Sequence, residues 1–324
     1  MKRYIGTLIV FSLLFCLSSC NEEDYASKEY YKNVVYLLSK ESYNVYAEAH
    51  PFNDGQEVIG YFSVGCGGSL SNPGEFTVEL GTDSVLFNLY NRGNFDIDTL
   101  KYAKLLPESK YSIESNIIKY PANNPDQYVK VAISVIPDGL SPDTIYFVPV
   151  TIKNVSNNYE VNSEKSSILY RVLLKNYYAE QLPNTYYQSK GEILDLNGEV
   201  VSMISTTKLV RPISKNSVRT YVGNEVQTNK STVDEINKYS IILTVDENNK
   251  VQVSPYGTID IQQIDKEGSN FYEEVVRSAV DTTLNKYFHV SYQYRLLKAP
   301  ATETSPAVYD KWITVDETLK KLDN

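Results

Sequence analysis

Residues that carry chemistry are scarce in this chain. Its 324 residues include two histidines (His50 and His289), one tryptophan (Trp312) and three cysteines. A serine or cysteine nucleophile needs an adjacent base and a group to orient that base, so two such centres at most could be assembled. Cys16 and Cys20 fall within the first twenty residues and only Cys66 remains beyond them, which excludes a disulfide framework. Cys66 is expected to be a small buried residue and His289 a structural histidine on a strand face. No phosphate-binding glycine loop, dinucleotide fingerprint or metal-ligand spacing is present, so no cofactor is expected. Asp195-Leu196-Asn197-Gly198-Glu199 echoes a calcium loop but lacks the remaining ligands, and is expected to form a turn. Basic charge is short as well: 31 Lys and Arg against 40 Asp and Glu give a net charge of −9. That balance argues against nucleic acid or bare anionic membrane as a partner.

What is present starts with an export signal. Lys2 and Arg3 precede an uncharged apolar run from Ile5 to Leu17, too short to span a bilayer as a helix of about 20 residues. The run ends in Leu17-Ser18-Ser19-Cys20, which resembles a lipobox. Cys20 is therefore expected to become the acylated N-terminus, with two or three acyl chains giving firm outer-membrane attachment. Cleavage of residues 1–19 removes Lys2 and Arg3, taking the formal charge from −9 to −11. Asn21-Glu22-Glu23-Asp24 follows at once, and residues 20–29 read as an acidic tether of the kind that directs such lipoproteins to the cell surface.

From residue 30 onward the apolar residues recur with period two, rich in β-branched and aromatic types and punctuated by Gly, Pro, Asn and Asp. Val34–Leu38, Glu57–Val64, Glu75–Leu80, Tyr128–Val135, Thr144–Ile152 and Ser166–Leu174 are expected strands. Their spacing suggests a β-sandwich over residues 30–175. A helix is expected from Thr99 to Leu105, capped by Asp98 and stopped by Pro107. Residues 176–185 read as a linker. Beyond it, Asn197-Gly198 marks a tight hairpin and Asp246–Asn249 a second one. The strands over residues 186–324 are numerous enough to favour an antiparallel barrel, because closure removes exposed edges. Phe271 to Leu284 is ambiguous, since Phe271, Val275 and Ala279 also fit a helical face. The fold class is thus all-β, a sandwich followed by a barrel.

Several stretches resemble a known family: Leu105 to Ile113, Tyr146 to Ile152 and Val161 to Tyr170. They are similar to an immunoglobulin-like N-terminal domain of unknown function in Bacteroidetes surface lipoproteins. The same domain precedes the catalytic module of some endo-N-acetylglucosaminidases. Val210-Arg211-Pro212-Ile213 and Tyr239 to Asp246 resemble the companion C-terminal, lipocalin-like domain. The resemblance implies non-catalytic glycan binding at the cell surface in a polysaccharide-utilisation system, beside a transporter or hydrolase. It carries over no catalytic residue, and the Asp-rich signature of the endoglycosidases is absent. Two alternatives stay open: a glycoside hydrolase with an unrecognised carboxylate pair, and a structural or adhesin protein that binds another protein.

The richest residue type is tyrosine, 28 beside 10 Phe. A Tyr offers a flat apolar face to a sugar ring and a hydroxyl to its polar edge, although most of the 28 are expected simply to build strands. Three places stand out as candidate oligosaccharide contacts. The first is Trp312 with Asp310, in a charged stretch. The second comprises Tyr177, Tyr178, Tyr186 and Tyr187 around the linker, where clefts favour ligands. The third is Tyr292 with Tyr294 on one strand face. Asp83-Ser84-Val85, Asp98-Thr99-Leu100, Asp143-Thr144-Ile145 and Asp281-Thr282-Thr283 resemble a short O-glycosylation pattern.

Overall fold

In the computed structural model, residues 31–228 and 230–323 are described; Cys20 and the acidic tether lie outside them. The expected architecture, a β-sandwich followed by a barrel-like sheet, is what the chain adopts. Strands β1 (Val34–Leu37), β2 (Val45–Pro51), β3 (Val58–Gly67), β4 (Phe76–Gly81), β5 (Lys104–Leu105), β6 (Tyr111–Ile113), β7 (Ile117–Tyr120), β8 (Tyr128–Val135), β9 (Tyr146–Val155), β10 (Glu160–Val161) and β11 (Ser167–Lys175) make the sandwich. One sheet runs β10-β1-β3-β8-β6; the other runs β2-β11-β9-β4-β7, with β5 beside β9. Alternate residues point inward, so Val35, Leu37, Phe62, Val64, Ile133, Val150, Ile168 and Tyr170 share one core. Each such side chain contributes roughly 1.5–3 kcal/mol of burial energy, an upper figure.

The helix expected from Thr99 is only a single 3₁₀ turn, Thr99–Lys101. Asn91 fixes the chain immediately after it, accepting from the Ala103 N–H at 2.8 Å; residues 104–105 then join β9. The helix that does form is α1 (Val85–Phe95). It lies outside the sandwich, with Leu86, Phe87 and Tyr90 against Phe147 and Leu169.

The second half contains β12 (Thr185–Leu194), β13 (Val200–Pro212), β14 (Ser217–Tyr221), α2 (Val233–Tyr239), β15 (Ser240–Val245), β16 (Val251–Pro255), β17 (Asp260–Gln263), β18 (Phe271–Val276), β19 (Leu284–Arg295), β20 (Leu297–Ala299), β21 (Val308–Tyr309) and β22 (Ile313–Lys321). The sheet order is β16-β15-β14-β13-β12-β22-β19-β17, with β18 also on β19. A bridge from Lys250 to Phe271 brings its ends together. Asn197 and Gly198 sit in the β12–β13 turn, Gly198 at a φ of 82° that suits glycine. The Phe271–Leu284 stretch is strand and hairpin: Phe271 to Val276 pairs with Leu284 to His289, and this long-range ladder outweighs the local helical spacing. No helix among the described residues is long and apolar enough to cross a membrane.

A charged pair occupies the barrel core. Lys208 Nζ donates to Glu317 Oε2 at 2.5 Å and to the Tyr221 carbonyl at 2.9 Å. Ser189 and Tyr292 hydroxyls donate to the same carboxylate at 2.5 and 2.7 Å. Burial draws the Lys208 ammonium below its ordinary value, and the neighbouring Glu317 carboxylate only partly offsets this. Removing one member of such a pair strands the other charge in the core. Lys208→Met should therefore cost about 3–5 kcal/mol, and Lys208→Met with Glu317→Gln distinctly less; urea titrations of the two variants measure the difference.

A second buried network lies in the sandwich. His50 Nε2 sits 2.9 Å from the Tyr170 hydroxyl, which donates to Glu48 at 2.7 Å. Gly60 is required beside it, because a Cβ there would lie 2.3 Å from the Tyr170 oxygen. Burial holds His50 down at about 4, against an ordinary 6.5. The unfolded chain then binds the extra proton first, so stability should fall as pH drops from about 6.5 towards 4, by up to about 3 kcal/mol. Denaturant midpoints measured across that window check this, and His50→Gln should flatten the dependence.

Candidate functional site

The sole tryptophan stands at the end of the barrel where β19 finishes and β22 begins. It belongs to neither the buried barrel core nor the partly buried residues packed on it. Trp312 and Asp310 lie in the irregular segment between β21 and β22, so strand alternation does not place them on one side. A guanidinium organises the group instead. The Arg295 Cζ lies 4.6 Å from the centre of the Trp312 ring and 4.5 Å from that of Tyr309. Its Nε and Nη2 both reach Asp260 Oδ2 at 2.7 Å. Alongside, Lys298 Nζ contacts Asp310 Oδ1 at 2.6 Å, and the Asp310 N–H donates to the Leu296 carbonyl at 2.9 Å.

The short β20–β21 pairing, Leu297 with Tyr309, folds the chain back so that Tyr309 and Trp312 meet Arg295. Both rings are half-buried. The Trp312 ring N–H meets no protein acceptor among the described residues. Chemically the cluster offers the ring faces turned away from Arg295, a tryptophan N–H donor and the unused oxygens Asp260 Oδ1 and Asp310 Oδ2. Such a mixture orients a polyol.

The other candidates separate by burial. Tyr178 (8 % exposed), Tyr187 (0 %), Tyr292 (0 %) and Tyr294 (7 %) are barrel core and present no face to an external sugar. Tyr187 donates to the Tyr178 carbonyl at 3.0 Å and Tyr292 to Glu317. These four are inward residues of strands or of the packed joint. Alternation made Tyr292 and Tyr294 share a face, and that face is the interior. Tyr177 and Tyr186 remain exposed. The Tyr177 hydroxyl donates to Glu274 Oε1 at 2.6 Å, which with partial burial pushes it up to about 12. Lys286 Nζ lies 3.6 Å from its ring centre, so one face is already occupied. This joint lies at the far end of β22 from Trp312, about 30 Å along nine residues, and the two cannot form one site.

Residues 176–184 are packed rather than free. Gln181 donates to the Pro142 carbonyl at 2.8 Å and Asn176 to the Ser214 carbonyl at 2.8 Å. Arg219, fully buried, grips Asp143 of the sandwich at 2.5 and 2.7 Å. Burial alone would raise the Asp143 carboxyl, but the Arg219 fork outweighs it and holds the group below the usual range.

Arg295, Tyr309, Asp260 and Lys298 complete the group without any sequence motif that marks them. Arg295 could have been found, since it follows inward Tyr292 and Tyr294 in alternation and so points outward. An open cleft of about 550 Å³ lies elsewhere, bordered by Asn33, Gly74, Glu75, Asn158 and Tyr159. Its aromatic ring, Tyr159, is stacked on Phe76 at 4.2 Å, leaving mainly polar edges. Burial pushes the Cys66 thiol up to about 11, which makes a poor nucleophile. Of the glycosylation-like triplets, Ser84, Thr99 and Thr282 are exposed and Thr144 is half-buried.

Trp312→Ala should remove a cation–π contact worth about 0.5–1 kcal/mol and move the melting temperature by no more than about 2–4 °C. Tyr292→Phe should cost more, about 1–3 kcal/mol, because Glu317 loses a buried donor. Thermal melts of the two variants decide which residue is core.

The fold has solved counterparts. A family model for an N-terminal domain matches residues 30–159, and its companion for a C-terminal domain matches residues 166–320. A Bacteroides ovatus structure of unknown function is 16 % identical, covers 89 % of this chain and 94 % of its own, with a TM-score of 0.66. A B. ovatus multidomain protein including DUF1735 is 15 % identical, with coverages of 88 % and 94 % and a TM-score of 0.62. A Bacteroides thetaiotaomicron structure described as an auxiliary nutrient binding protein is 14 % identical, with coverages of 87 % and 92 % and a TM-score of 0.56. No curated sequence matches the chain. With both halves matched in the order expected, the chain consists of an N-terminal and a C-terminal domain of the two families these models describe.

Proposed function

We propose that this protein is a lipid-anchored binding protein of the outer-membrane surface that captures oligosaccharide without cleaving it. The observation that carries the reading is the Trp312–Arg295–Tyr309 group: aromatic faces outside the core, flanked by carboxylates with spare acceptor oxygens. The nutrient-binding description of one solved counterpart supports a binding role. The layout suits an anchor at Cys20. Tyr31 pairs with Ser69 at the end of the sandwich remote from the barrel, while Trp312 lies at the barrel end remote from the joint. Acyl chains before residue 31 would then present the Trp312 end outward, towards polysaccharide and a partner transporter or hydrolase. The buried Glu317 carboxylate is engaged by Lys208, and the half-buried Glu48 accepts from Tyr170.

Two experiments test this. On a glycan array with product analysis, the wild type should bind without releasing sugar, and Trp312→Ala should lose about tenfold or more in affinity, roughly 1.4 kcal/mol. Released sugars would establish a hydrolase; capture of a protein with no glycan bound would establish an adhesin. Cys20→Ala should abolish fatty-acid labelling and membrane association. Retention of the variant in the outer membrane would exclude the acyl anchor.

A further inference from the structure

We infer that the Trp312 site accepts uncharged sugars and rejects uronate-bearing or sulfated ones. This rests on the Trp312 group being the binding site and goes further, because the charges there fix the ligand class.

Two of the cations at the site already hold ion pairs. Arg295 lies against both aromatic rings, with its Cζ 4.5 and 4.6 Å from their centres. What it can offer a ligand is its edge. The Nε and Nη2 of that edge are spent on Asp260 Oδ2, the geometry that would otherwise grip a carboxylate or sulfate as a fork. Lys298 is held by Asp310. The remaining exposed cation, Lys311, is a single ammonium and presents no fork to a carboxylate or sulfate.

The unused polar atoms point the same way. Asp260 Oδ1 and Asp310 Oδ2 are carboxylate oxygens, which only accept hydrogen bonds. A sugar hydroxyl can donate to them. A uronate or sulfate oxygen cannot, and it would meet like charge on a protein already at −9. Stacking on Trp312 and Tyr309 is indifferent to charge, so the carboxylates decide. Arg295 is then a positioning residue: it holds the two rings and is itself neutralised.

The test uses the mature chain and matched probes: cello-, manno-, xylo- and galacto-oligosaccharides against oligogalacturonate and heparin-derived oligosaccharides, at low and physiological salt. The expected result is that binding is confined to the neutral set and is insensitive to salt. Asp260→Asn should free the Arg295 edge and bring oligogalacturonate binding that weakens as salt rises. Asp310→Asn, which frees Lys298, should do the same more weakly and covers the case in which Asp260→Asn fails to fold. A wild type that binds an anionic probe more tightly than its neutral counterparts overturns the inference while leaving glycan capture intact. So does unchanged selectivity in both folded variants. Neutral binding that survives Trp312→Ala, or no binding of any probe, overturns the site itself.

Discussion

The contact between Arg219 and Asp143 sets the geometry on which the rest depends. Arg219 is wholly buried in β14, and a buried guanidinium without a partner is strongly destabilising. Its partner belongs to the other domain, so the barrel cannot turn away from the sandwich without stranding a charge. Gln227 adds to the grip at 3.1 Å and Tyr256 lies against the guanidinium at 4.8 Å. Gln181 and Asn176 tie the connecting segment to both halves. The two domains are therefore held to one another by buried contacts. Tyr31 lies at the end of the sandwich remote from these contacts, and Trp312 at the end of the barrel remote from them.

Within the barrel a second buried charge plays a comparable part. Lys208, Glu317, Ser189 and Tyr292 come from four strands, and their hydrogen bonds specify which strands lie opposite one another. Polar groups in a core specify arrangement more than they stabilise it. The consequence for function is indirect but physical. With the interior filled by Tyr187, Tyr292, Tyr294 and this network, a ligand must be met on the outside, at a rim where rings stand clear of the core.

Much of this was legible in the residues. Period-two alternation located most of the strands, Asn197-Gly198 located a hairpin, and the small number of histidines and cysteines argued early against nucleophilic chemistry. The failures share a cause. Val85–Phe95 carries three Asn and a Gly, all poor helix formers, and it is helical because Phe87 and Tyr90 dock on Phe147, a contact invisible in sequence. Phe271, Val275 and Ala279 fit a helix, yet the same stretch pairs as strand with β19. Glu317 lies in phase with Val315 and Leu319, so its inward position could be read; what could not be read was Lys208, 109 positions away. At the rim, Trp312 and Asp310 stood out by composition and alternation could set Arg295 outward, whereas Asp260 needed the strand pairing that joins β17 to β19.

Because the chain has one tryptophan, its emission reports on the proposed site alone. Titrating the mature protein with a neutral oligosaccharide selected on an array, while following fluorescence and heat of binding together, tests the central claim directly. A saturable change in Trp312 emission with the same midpoint as the calorimetric titration is the expected result. Saturable heat with no change in emission would place the ligand elsewhere and contradict the account.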